Sequence, residues 1–97
     1  MAIQSFSDQE AEGFFIRGRL KKGNPWQNAS SIVRRKLDML HYAAELEDLR
    51  SPPGNRLEAL KGKLARFHSI RVNDQWRVVF VWTRMGPERV SVQDYHR

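Results

Sequence analysis

The sequence predicts one small α+β domain, spanning residues 1–97, in which an N-terminal strand and two helices pack on an antiparallel sheet of about four strands. Three observations support this prediction. A chain of 97 residues has room for one modest core, because a domain of this size buries roughly two-thirds of its unfolded surface. Apolar residues recur at helical spacing in the first half of the chain. From Phe67 onward, β-branched and aromatic residues dominate between short turn signals.

The N-terminal segment predicts a strand followed by a helix. Residues 2–6 favour a short strand. Ser7 is the expected N-cap, since Glu10 stands three residues later and completes a capping box. The first helix is expected over residues 8–17, with Gly18 ending it. A basic loop that contains Gly and Pro follows.

The second helix has the clearest periodicity. After Ser30 or Ser31 as its N-cap, apolar residues recur at i, i+4, i+7 and i+11 from Val33 to Ala44. The other face carries three cations, Arg34, Arg35 and Lys36. A solvated helix surface is their expected environment. Ser51-Pro-Pro-Gly then requires extended backbone, because each proline disfavours helix in the residue before it.

Three segments, "FHSIRV", "QWRVVFVW" and "RVSVQDY", predict an antiparallel meander. Asn73-Asp74 suits the first tight turn, and "RMGPE" forms the second. The N-terminal strand can add a fourth. Alternation along the strands sorts the side chains into two faces. If the helices cover the row that starts at Trp76, the opposite face presents Ser69, Arg71, Arg77, Gln93 and Tyr95.

Composition favours some classes of binding partner and excludes several kinds of site. A net charge of +6 suits polyanions or an acidic protein partner. The absence of cysteine excludes disulfides, cysteine zinc sites and thiol nucleophiles. No apolar run approaches the roughly 20 residues of a membrane span, and the N-terminus lacks a secretory signal. We therefore expect a cytoplasmic protein with no membrane partner.

An RNA strand would match the polar face of the sheet. It offers phosphates to Arg and Lys, bases to aromatic rings, and a 2′-hydroxyl that can act as an internal nucleophile. Cleavage also needs a base, cations at the phosphate and an acid for the leaving oxygen. Lys61, Arg77, Tyr95 and His96 are of the right chemical types. Since Arg and Lys supply positive charge, we expect neither a metal ion nor a cofactor.

Three motifs carry a resemblance to a known family: "LEDLRSPPGNRLEALKG", "HSIRVNDQWRVVF" and the terminal "DYH". In order and spacing they closely resemble the HigB branch of the RelE/ParE toxin superfamily, within it the GraT-like toxins, over nearly the whole chain. The resemblance implies a bacterial type II toxin that enters the 30S ribosomal A site, cuts mRNA without a metal and arrests growth. It also implies a HigA-like helix-turn-helix antitoxin as partner, with operator DNA bound only through that antitoxin.

Carried across by position, the resemblance implies five catalytic residues: Lys61, Arg77, Asp94, Tyr95 and His96. Lys61 and Arg77 would hold the phosphate, Tyr95 or His96 would move the proton, and Asp94 would orient a neighbour. The expected substrate-binding residues are Arg56 and Glu58, near the Pro-Pro-Gly turn, and Arg71 and Gln93, on the polar face of the sheet. Glu58 stands where some members have His. Three alternatives stay open: Glu58 is the base, catalysis is weaker, or the C-terminal residues do the chemistry.

Two other functions stay open at this point. One is a ParE-like toxin that acts by binding DNA gyrase, against which Lys61 and the terminal "DYH" argue. The other is a non-catalytic basic module that binds RNA or an acidic protein. The Pro-Pro-Gly turn is interpreted as a stiff loop that holds Asn55, Arg56 and Lys61 beside the sheet. Trp76 and Trp82 are expected in the core, and His68 is expected to be structural.

Overall fold

An antiparallel sheet of four strands, in the order β1-β2-β3-β4, forms one layer of the computed structural model, which describes residues 1–95. The strands are β1 (Glu58–Ala59), β2 (Phe67–Arg71), β3 (Trp76–Thr83) and β4 (Gly86–Asp94). Two helices, α1 (Gln9–Arg17) and α2 (Ser30–Tyr42), pack on one face of it. The predicted α+β class is therefore confirmed.

The start of α1 differs from the prediction by one residue. Asp8, not Ser7, is the N-cap, and its Oδ1 accepts a hydrogen bond from the Ala11 N–H at 3.1 Å. Its second oxygen accepts from the Val92 N–H at 3.0 Å, which ties the helix start to β4. Asp8 is favoured over Ser7 as the N-cap because its carboxylate bonds to both the helix and the sheet. Gly18 ends the helix as predicted, in the left-handed conformation with φ 70°.

The start of α2 also differs from the prediction. Neither Ser30 nor Ser31 is the N-cap, because a 3-10 turn at Gln27–Ala29 runs directly into the helix. Ser30 already has helical dihedral angles, and its N–H donates to the Gln27 carbonyl. Ala29 takes the cap position without a side-chain hydrogen bond.

The fourth strand comes from a different part of the chain than expected. Residues 2–6 form no strand and make one parallel bridge, between Phe6 and Val90. The edge strand is β1, which pairs with β2. The reason lies in β4, where Arg89 has a positive φ of 53° and the register with β3 shifts between Val79 and Val81. Such a bulge bends the strand and interrupts further pairing there.

The core lies between the helices and the sheet. Each layer contributes wholly buried side chains, among them Val33, Leu37 and Leu40 from α2 and Ile70, Val78, Phe80 and Val90 from the strands. Trp76 belongs to this core and Trp82 packs against it, as predicted. Among the helices formed by residues 1–95, none has the length and hydropathy that a bilayer span requires.

Lys36 corrects the prediction for the basic face of α2. Arg34 and Arg35 are exposed, but Lys36 is only 8% exposed. Its ammonium donates to Asn55 Oδ1 at 2.6 Å, so the Pro-Pro-Gly loop covers this position of the helix. Helical periodicity could not reveal this, because the covering residue comes from 19 positions away.

His68 lies on the core side of β2, with its ring stacked 6.2 Å from that of Phe80. Burial lowers the pKa of His68, Arg50 lowers it further, and Glu47 opposes them. Within residues 1–95 its Nδ1 is buried without a hydrogen-bond partner. These features support the structural role that the sequence predicts.

We expect His68 to make the fold sensitive to acid. The folded state binds the proton less tightly than the unfolded chain, so unfolding takes up a proton between the lowered pKa and about 6.5. The free energy of unfolding should fall as pH drops through this window and stay low beneath it. Urea titrations of the protein and of His68→Gln at several pH values would isolate the effect. Identical pH dependence in both proteins would contradict it.

Candidate active site

A cavity of about 260 Å³ opens on the sheet face opposite the helices. It brings together side chains from the loop after β1 and from all three long strands. The residues lining it are Leu60, Lys61, Leu64, Ser69, Arg77, Val79, Gln93, Asp94 and Tyr95. Four of the five predicted catalytic residues are among them. The fifth, His96, lies outside the described residues.

Strand pairing explains why these side chains meet. Arg77 on β3 is the Cα partner of Gln93 on β4, and Val79 is the partner of both Ser69 and Ser91. Residues two apart on a strand share a face. The face presented by Arg77 and Val79 is therefore continuous across β2, β3 and β4, as alternation predicts.

Arg77 is the charged group at the centre of this arrangement. It is only 5% exposed, and its Cζ lies 4.0 Å from the centroid of the Tyr95 ring. Its Nη1 lies 3.9 Å from Glu58 Oε1, close enough for an ion pair but too far for a hydrogen bond. Among residues 1–95, Nε and Nη1 find no hydrogen-bond partner. A shielded cation with unused donors attracts an anion more strongly than one in bulk water.

Glu58 connects the edge strand to the C-terminal end of the sheet. Its Oε1 accepts a hydrogen bond from the Tyr95 hydroxyl at 3.2 Å. The same oxygen faces Arg77, so a carboxylate, a guanidinium and a phenol form one contact group. The sequence indicated these three chemical types but not their contact.

Backbone and side-chain bonds hold the C-terminal residues of the site in place. The Tyr95 N–H donates to the Gln75 carbonyl at 2.6 Å. Gln75 Nε2 in turn donates to Asp94 Oδ2 at 3.1 Å. Sequence reasoning gave Gln75 no role in the site: it was expected to be the first residue of the strand "QWRVVFVW", whereas the structure places it in the hairpin turn before β3.

Lys61 reaches the cavity from an irregular segment. Its own backbone is extended, with φ −125° and ψ 172°, and Gly62 follows in the left-handed region at φ 65°. The preceding residue, Leu60, donates its N–H to the Phe67 carbonyl at 2.9 Å. Lys61 is therefore an exposed ammonium group on a backbone that is bonded to the sheet.

Not every predicted substrate-binding residue lies at the cavity. Arg56 is exposed, has a positive φ of 46°, and does not line it. Arg71 lies beside the site as the Cα partner of Arg77, and its guanidinium bonds to Asp74 in the hairpin turn. Glu58 does not line the cavity either, whereas Gln93 does. Substrate binding by all four of these residues stays a prediction.

The apolar part of the cavity wall was not predicted from the sequence. Leu60 and Leu64 line it together with Val79. Strand alternation indicates the direction of Val79, but the two leucines lie in irregular backbone and had no periodic signal. Ser69 Oγ is also wholly buried at this wall, without a hydrogen-bond partner among residues 1–95.

A second depression, of about 620 Å³, lies along α1 and the loop that follows it. None of the predicted site residues lines it. The side chains of residues 1–95 form no group of three or more His, Asp and Glu that could hold a metal ion.

Comparison with known proteins agrees with the resemblance. A family model described as the RelE-like toxin of the type II toxin-antitoxin system HigB matches residues 4–96. Toxin HigB-1 of Vibrio cholerae serotype O1 is 40% identical over 82 residues, which are 84% of each chain. An uncharacterized protein of Haemophilus influenzae is 38% identical over 77 residues, 79% of this chain and 75% of that protein. The chain therefore belongs to the HigB family of RelE-like toxins, the toxins of type II toxin-antitoxin systems that have a cognate antitoxin as partner.

Proposed function

We propose that this toxin is a ribosome-dependent endoribonuclease that cuts mRNA in the A site of the 30S subunit and so inhibits translation and growth. The state of Arg77 is the observation that carries this proposal. It is a nearly buried guanidinium in the wall of a cavity that Lys61 also lines, and two of its nitrogens have no hydrogen-bond partner among residues 1–95. An RNA phosphate would supply acceptors for these two nitrogens, which find none among residues 1–95.

The proposed reaction is attack of a 2′-hydroxyl on the adjacent phosphate. The O2′–P bond forms and the P–O5′ bond breaks, while a base takes the 2′-hydroxyl proton and an acid protonates the leaving 5′-oxygen. Arg77 and Lys61 hold the phosphate and stabilise the negative charge that develops on it. These two side chains supply the positive charge beside the phosphate, so the proposed reaction needs no metal ion.

Glu58 is the base in this proposal. Its carboxylate is oriented by the Tyr95 hydroxyl and by the positive charge of Arg77. A carboxylate held beside the phosphate-binding cation can reach the neighbouring 2′-hydroxyl. The family resemblance implies Tyr95 or His96 as a proton-transfer residue, and with Tyr95 bonded to the base we propose His96 as the acid. Asp94, held by Gln75, orients the C-terminal end of the site.

We further propose a HigA-like helix-turn-helix protein as the antitoxin, with operator DNA bound only through it, and the cytoplasm as the location. These proposals rest on family membership. The positive net charge suits both an acidic antitoxin surface and the ribosomal RNA around the A site.

We expect Glu58→Gln to slow mRNA cleavage by about 100- to 10,000-fold, the usual contribution of a general base. The amide still accepts a hydrogen bond from Tyr95 but cannot take a proton. Single-turnover cleavage on ribosomes programmed with mRNA, mapped by primer extension, measures the rate. Glu12→Gln is the matched control, because Glu12 is an exposed carboxylate on α1.

Cleavage by Glu58→Gln at the rate of the unchanged toxin would remove Glu58 as the base. The same assay tests the reaction itself. If the unchanged toxin leaves ribosome-bound mRNA intact and instead induces the DNA-damage response, gyrase binding replaces the nuclease proposal.

A further inference from the structure

Asn55 is a wholly buried polar residue three positions before Glu58. Its Oδ1 accepts the hydrogen bond from Lys36 on α2. Its Nδ2 donates to two carbonyls, of Leu49 at 3.1 Å and of Ser51 at 3.3 Å. One amide side chain thus joins α2, the 3-10 turn at Leu46–Arg50 and the beginning of the Pro-Pro-Gly loop.

Placing the Lys36 ammonium beside this buried amide costs free energy. Burial lowers the pKa of Lys36, and the neighbouring charges of Arg35 and Arg71 lower it further. Burying a charge costs free energy unless hydrogen bonds compensate. An apolar side chain of similar length would fill this place without that cost. The hydrogen bond between Lys36 and Asn55 therefore fixes the position of the loop on α2. Packing alone would not require a charged side chain here.

The loop beyond Asn55 leads directly into the proposed active site. Arg56 has a left-handed backbone, which a non-glycine residue keeps only where its surroundings hold it. Glu58 follows on β1, an edge strand of only two residues. On the far side this segment is held by its pairing with β2 and by the bond from Leu60 to Phe67. On the near side, Leu57 packs against the core, and Asn55 supplies the hydrogen bonds to α2 and to the loop.

We infer that Asn55 and Lys36 are positioning residues of the toxin, which set the place of the edge strand and so keep Glu58 in contact with Arg77 and Tyr95. Neither residue touches the substrate. This inference rests on the proposed nuclease function for its effect on rate, whereas its effect on the position of β1 can be measured without any catalysis.

The test compares Lys36→Met and Asn55→Asp with the unchanged toxin. Lys36→Met keeps the length of the side chain but removes the donor to Asn55. Asn55→Asp keeps the shape and the acceptor for Lys36 but removes both donors to the loop carbonyls. Arg35→Met is the matched control, because it removes one positive charge from the adjacent exposed position. Circular dichroism verifies that each variant is folded.

Two measurements decide the outcome. In ¹⁵N spectra of the free toxin, we expect the amide peaks of Glu58, Ala59 and Lys61 to shift in Lys36→Met and Asn55→Asp and to stay in place in Arg35→Met. In the ribosome assay, we expect the two variants to cleave at least tenfold more slowly, with ribosome affinity within about twofold. A lower rate at unchanged affinity separates misplacement of Glu58 from loss of binding.

Folded variants whose three amide peaks coincide with those of the unchanged toxin would overturn the inference, whatever their activity. Shifted peaks with an unchanged cleavage rate would overturn the catalytic part of it. If the unchanged toxin cleaves no mRNA, the nuclease proposal fails, and shifted peaks would still support Asn55 and Lys36 as the anchor of β1.

Discussion

We expect Arg77→Ala to slow mRNA cleavage on the ribosome by about 100- to 1,000-fold and to abolish growth arrest, because one preorganised donor to a developing oxyanion is worth this much. Arg77 is a nearly buried cation of the cavity. Within residues 1–95 its Nε and Nη1 have no hydrogen bond to lose, and the ion pair that Nη1 makes with the half-exposed Glu58 is long, at 3.9 Å. The loss should therefore fall on the rate rather than on the fold. Single-turnover cleavage and growth of cells expressing the variant measure it.

Two further variants sharpen this prediction. Arg84→Ala removes the same charge from the exposed turn between β3 and β4, and cleavage should stay within about twofold. Arg77→Lys keeps the charge but loses the planar pair of donors, so its rate should lie between those of Arg77→Ala and the unchanged toxin. Antitoxin binding verifies that each variant is native. A native Arg77→Ala protein that cleaves at the rate of the unchanged toxin would contradict the proposed site.

We expect Phe80→Ala to lower the free energy of unfolding by about 3–5 kcal/mol, the usual cost of emptying a buried aromatic site. Phe80 lies in β3, the central strand of the meander, is 0% exposed, and stacks on His68. It belongs to a buried cluster to which both layers of the fold contribute, so we expect the surrounding structure to fill only part of the cavity.

Urea unfolding measures this loss of stability. The midpoint should move to lower urea while the slope stays the same, which marks a change in stability alone. Tyr42→Ala is the matched control, since Tyr42 is 79% exposed at the end of α2, and its effect should stay within about 0.5 kcal/mol. A loss below about 1 kcal/mol for Phe80→Ala would contradict the core described here.

Much of the fold followed from local patterns. The apolar row of β3 faces the helices, and Arg77 and Gln93 share the opposite face, as alternation predicts. The fourth strand did not follow, because Glu58–Ala59 is too short to carry any periodic signal. Residues 2–6 have strand-like composition, but beside the bulged strand β4 their backbone forms only the bridge at Phe6 and a hydrogen bond from Gln4 to Pro87.

In the candidate site, too, some features were predictable from the sequence and others were not. The family motifs indicated Lys61, Arg77 and Tyr95, and the structure brings these three to one cavity. Nothing in the sequence indicated that Asn55 is buried or that Lys36 is its partner. Both are polar residues that composition assigns to the surface, and only the loop that folds over α2 removes them from water.

The sequence by itself determined which segments are helices and long strands and which face of each is apolar, because these properties repeat along the backbone at 3.6 or 2 residues. The tertiary structure alone decided which distant groups meet. Glu58 contacts Tyr95 across 37 positions, and Lys36 contacts Asn55 across 19. Such contacts depend on how loops close and layers pack, and no local repeat in the chain encodes that.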